Sequence, residues 1–80
     1  MDAGGYNARM QVFTFRSERD GEVTGFTDQR FGGNLPSTFS PWKPIGPLDV
    51  QNGDALAGVP GGADAVLGGI RRTGFFLSRS

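Results

Sequence analysis

QVFTFRSERDGEVTGF, residues 11–26, spells a β-hairpin before anything else in the chain is considered. In 11–17, Val12 and Thr14 fall on one side and Phe13 and Phe15 on the other, the period of two expected of a half-buried strand. Residues 22–28 repeat the form through Val23, Thr24, Phe26 and Thr27. Between them Glu18, Arg19, Asp20 and Gly21 make a short polar loop, and Asp-Gly favours a hairpin because both residues tolerate positive φ. This reading brings Phe13, Phe15 and Phe26 together on one face, where aromatic cross-strand pairs add some tenths to about 1 kcal/mol each.

A lone hairpin is not stable in water, so the aromatic face needs a cover. GGADAVLGGIRRTG, residues 61–74, supplies one: Ala63, Val66, Leu67 and Ile70 fall at i, i+3, i+4 and i+7, and the spacing predicts a helix over 63–72. Arg71 and Arg72 lie in its last turn, where the helix dipole favours cations, and Gly74 suits a left-handed cap. Gly68 and Gly69 each cost roughly 1 kcal/mol relative to alanine inside a helix, which points to close approach of helix and sheet. GFFLSRS, residues 74–80, predicts a final strand with Phe75 and Leu77 on one face and Phe76 on the other.

Residues 29–62 hold all five prolines and seven of the fourteen glycines, so little regular structure is expected there. Phe39, Trp42, Ile45 and Leu48 nevertheless recur every three residues, as do Pro41, Pro44 and Pro47. Three is the period of polyproline II, and the segment reads as an extended, proline-rich strap lying on the sheet. The expected fold is therefore α+β: a small, mainly antiparallel sheet of three or four strands with one helix packed on one face, in the order ββ, strap, αβ. Residues 1–9 read as a loose extension and 10–80 as one small domain, whose core is thin because a chain of 80 residues buries only about 60 % of its unfolded surface.

Composition narrows the function. Eight Lys and Arg balance eight Asp and Glu, so no net field draws in a polyanion or an anionic membrane. Without cysteine or histidine there is no disulfide, thiolate nucleophile, imidazole base or thiolate or imidazole metal site. DVQNGD, residues 49–54, fails the register of a calcium loop, since Gly53 falls at the fifth position and Pro60 where the bidentate Glu belongs; a tight turn explains it better. Gly58, Gly61 and Gly62 precede the helix, but without a Gly-Lys-Ser/Thr or a GxGxxG spacing they make a turn and not a phosphate cradle. Glu18, Asp20 and Glu22 beside Arg16 and Arg19 read as a solvated network, not an acid pair of separated pKa values. No enzyme, cofactor or metal is expected. No apolar run approaches the ~20 residues that span a bilayer, and the lack of cysteine fits a reducing, cytoplasmic setting.

RRTGFFLS at 71–78 and QVFTF at 11–15 resemble the aromatic strand motifs of RNA-recognition domains, which would imply bases stacked on exposed rings. That fold places a helix between its first two strands where this chain has a tight turn, the match at 71–78 departs after Gly74, and the charge is balanced. A single-stranded nucleic-acid binder is thus the alternative to a protein-interaction or regulatory module. SPWKPIGP, residues 40–47, lacks the flanking basic residue of an SH3 ligand, since Lys43 stands inside the repeat. A helix covers only one face of so small a sheet, so the other needs a strap, another protein or a second copy of the chain. The expected contacts are Val12, Arg16, Trp42, Phe76 and Arg79.

Overall fold

A computed structural model describes residues 9–56 and 58–79. Its elements are β1 (Arg9–Ser17), β2 (Val23–Thr27), a 3-10 turn (Ser37–Phe39), β3 (Trp42–Gln51), α1 (Gly62–Thr73) and β4 (Phe75–Arg79). The strands form one four-stranded antiparallel sheet in the order β3-β1-β2-β4. The α+β class, the hairpin, the helix and the last strand stand as the sequence indicates. No helix among the described residues is long and apolar enough to cross a membrane.

The helix buries its expected stripe: Ala63, Val66, Leu67 and Ile70 close over Val12, Phe26 and Val50. Fully burying a side chain of Val or Leu size contributes about 1.5–3 kcal/mol, so this layer supplies most of the cohesion available to so short a chain. Gly74 ends α1 in the left-handed region at φ 93°, and its N–H donates to the Ile70 carbonyl at 2.8 Å. Close approach accounts for one glycine of the pair. A Cβ at Gly69 would lie 2.7 Å from Phe76 Cδ1, whereas one at Gly68 would meet nothing within 4 Å.

Three expectations are corrected. The first concerns the strap, because 42–51 is not polyproline II. It is an edge strand paired with β1 along its length, with a register shift opposite Thr14/Phe15. The shift explains the period of three: it inserts one residue between Pro44 and Pro47, which then face Phe15 and Phe13, two residues apart on β1. Both prolines thus share one phase of the ladder, and an edge strand tolerates them when their nitrogens point to the unpaired side.

The second concerns the rings. Thr14 pairs with Phe26 and Phe15 with Gly25, so Phe26 lies under the helix while Phe13 and Phe15 face the other way. Alternation alone leaves the pairing free to slip by one residue, which moves a whole side-chain set to the opposite face. The third concerns the start of the sheet, since Arg9 already belongs to β1 and pairs with Gln51. The rest of the expected extension, 1–8, and the end of the expected last strand, Ser80, lie outside the described residues.

Candidate functional site

The sheet face away from the helix is covered by the loop 28–41, not by β3. Leu35 is buried there, and the chain makes room for it with two glycines. A Cβ at Gly25 would stand 3.0 Å from Leu35 Cδ2 and 3.1 Å from Trp42 Cζ3. One at Gly32, where φ is 66°, would come within 2.9 Å of the Phe15 ring. Trp42 donates its indole N–H to the Pro36 carbonyl at 2.9 Å and packs edge-on against Phe39 at 6.2 Å between centroids.

Two buried hydroxyls tie this loop down. Ser17 donates to the Phe39 carbonyl at 2.6 Å and accepts the N–H groups of Arg19 and Asp20 at 3.1 and 2.9 Å, which anchors the hairpin tip. Thr27 donates to Asn34 Oδ1 at 2.8 Å, and Asn34 Nδ2 donates to the Gly74 carbonyl at 2.8 Å. Loop, hairpin and helix cap are thereby locked to one another. Neither residue stands out in the sequence, because a hydroxyl in a strand is ordinarily a solvent-side choice.

The loop stops short of the β3 side, and there a groove of about 400 Å³ remains, walled by Phe13, Phe15, Phe31, Trp42, Pro44 and Pro47 with Arg30 at its rim. Phe31 is 87 % exposed, the largest apolar side chain so displayed among the described residues. The Arg30 guanidinium sits 6.0 Å above its ring. A ring left in water forfeits the stabilisation that burial would give, so Phe31 adds little to an interior built with little to spare.

The five expected contact residues are placed apart. Val12 is fully buried beneath α1 and presents no surface; Phe76 is half-buried on the same face, 6.2 Å from Phe26. Arg16 is exposed at the hairpin end of that face, where it lines a smaller hollow of about 280 Å³ with Ile45 and Val59. Trp42 belongs to the aromatic groove, and Arg79 lies at the far edge in β4. Phe31 and Arg30 are the groove residues that the pattern of strands could not reveal, since they stand in an irregular loop with no periodicity.

The acidic tip is also arranged differently. Arg79 Nη1 reaches Asp20 Oδ2 at 2.8 Å and Glu22 Oε1 at 3.9 Å, so the network takes in the last strand as well. The Asp20 carboxyl sits below its ordinary value of 3.8, first because the Glu22 N–H donates to it and then because of Arg79. In the 49–54 turn, Asp54 Oδ2 accepts the Gln51 N–H at 3.0 Å, while Asp64 Oδ1 accepts Gly53 N–H and Asn52 Nδ2 at 3.0 and 3.1 Å. These carboxylates serve the turn and the start of α1. Compared with family models, with curated proteins and with solved structures, the chain matches none.

Proposed function

We propose that this protein is a non-enzymatic interaction module that holds a short apolar segment of another protein in the groove between the 28–41 loop and β3. The observation that carries this reading is Phe31, an 87 % exposed ring set beside a groove of about 400 Å³ that already contains Phe13, Trp42, Pro44 and Pro47. Rigid aromatic and proline walls lose little side-chain entropy on binding, and burying apolar area there is favourable. Arg30 at the rim adds a donor for a carbonyl or carboxylate of the bound segment.

Selection of displayed linear peptides against the wild type and against Phe31→Ala tests the reading. The expected outcome is a consensus of apolar and aromatic residues that the variant loses, with its thermal midpoint within a few degrees of wild type because so exposed a ring contributes little to folding. A selection that yields no consensus, or the same one with both proteins, rejects it. The pairing of Arg30 with an exposed ring also suits a stacked base, so single-stranded nucleic acid is the second reading. Titration with labelled oligo-dT and oligo-rU at two salt concentrations separates the two: salt-sensitive binding lost in Phe31→Ala supports it, and no binding at low salt removes it.

A further inference from the structure

We infer that the protein forms a symmetric dimer by antiparallel pairing of β4 with β4 of a second copy, an interaction independent of the aromatic groove. The prolines of β3 set the hydrogen-bonding phase of the whole sheet. In an antiparallel ladder each residue directs both its N–H and its C=O to the same neighbour, and adjacent residues alternate. Pro47 has no N–H for β1, so its partner Phe13 turns its own groups toward Thr27 on β2. Thr27 is then committed to β1, Phe26 turns to Phe76 on β4, and Phe75, Leu77 and Arg79 aim their backbone groups outward.

Two hydrogen bonds agree with this phase. The Thr73 hydroxyl lies 3.1 Å from the Phe75 carbonyl and 3.1 Å from the Gly69 carbonyl, and at the other edge the Gln51 N–H donates to Asp54 Oδ2 at 3.0 Å.

The two edges of the sheet are consequently unlike. On β3 the outward residues are Trp42, Pro44, Pro47, Asp49 and Gln51; two of these have no N–H, the N–H of Gln51 is taken, and a bulge interrupts the row. Such an edge resists strand addition. On β4 no proline or bulge interrupts the outward N–H groups of Phe75, Leu77 and Arg79, and among the described residues no strand lies beyond it.

A second copy fits this edge better than an arbitrary strand because FFLSR is complementary to itself. Pairing about Leu77 sets Leu77 against Leu77 at the two-fold axis, with two reciprocal N–H to carbonyl bonds. It also sets each Arg79 opposite the other copy's Phe75 on the same face, where the aliphatic stem of Arg79 can lie on the ring while its guanidinium keeps Asp20. The four-stranded sheet becomes eight-stranded, and a five-residue edge implies weak association.

Sedimentation velocity from micromolar to millimolar protein tests this, with the expected mass rising toward twice the 8.5 kDa of one chain. Leu77→Lys puts like charges face to face at the axis and should weaken the dimer by about tenfold. Since the chain has no cysteine, Leu77→Cys gives a second reading that does not depend on folding of the lysine variant. Paired Cα atoms about 5.5 Å apart lie within disulfide reach, so mild oxidation should yield a covalent dimer, and Asp49→Cys on the opposite edge should not. A chain that stays monomeric at millimolar concentration, or Leu77→Cys that crosslinks no better than Asp49→Cys, overturns the inference. Phe31→Ala leaves the dimer unchanged, so failure here is distinct from failure of the groove.

Discussion

Gly68 and Gly69 are neighbours in the chain and opposites in the fold. Gly69 faces β4 so closely that a Cβ would lie 2.9 Å from Phe76 Cβ and 3.2 Å from the Phe75 carbonyl, atoms that cannot swing aside. Gly68 looks into open space. Gly68→Ala should therefore gain about 1 kcal/mol from helix propensity. Gly69→Ala gains the same and loses more by overpacking, for a net cost of about 1–2 kcal/mol. Urea denaturation of the two single variants checks the opposite signs. The sequence could announce that a helix with two glycines must approach something; which of them did so depended on the phase of α1 over Phe76. Ser17 and Thr27 were similarly silent, for their value arises from the carbonyls of Phe39 and Gly74, partners distant in the chain.

At the scale of elements, β3 shows how one pattern supports two structures. A period of three in proline and apolar residues suits polyproline II, and it suits equally an edge strand carrying one bulged residue. The choice between them rests on whether a neighbouring strand has unsatisfied backbone groups, and β1 does. The hairpin and the helix were legible because their patterns lie within each segment, at periods of 2 and 3.6. The prolines also do something that no local pattern displays, which is to close one edge of the sheet. Pro44→Val with Pro47→Val should open it. On the dimer inferred above, an open β3 edge allows growth in both directions, and light scattering should show species larger than a dimer at concentrations where the wild type shows none.

For the molecule as a whole, the contact between Arg79 and Asp20 joins the end of the last strand to the tip of the first hairpin. Because the folded Asp20 carboxyl titrates below its ordinary value of 3.8, its contribution is fully present above that value and is lost as the pH falls through the folded value. Both side chains meet solvent, so the contribution is small. Asp20→Asn should lower stability slightly at neutral pH and differ least from wild type in strong acid, as read from denaturant midpoints across that range. A difference that instead widens in acid rejects this account.

The groove was only half legible. Trp42 and the aromatic sheet face were named by their residues, but Phe31 and Arg30 come to the site along an irregular loop, and Val12 and Phe76, chosen for their place in strands, went under the helix. Amino-acid order settled what each segment can be, since strand and helix periodicity and turn chemistry are properties of neighbours along the chain. Which ring faces the helix, which edge stays open and what the long loop covers were settled by strand register and loop closure. Those depend on pairings between distant residues, where a slip of one position reverses every side chain.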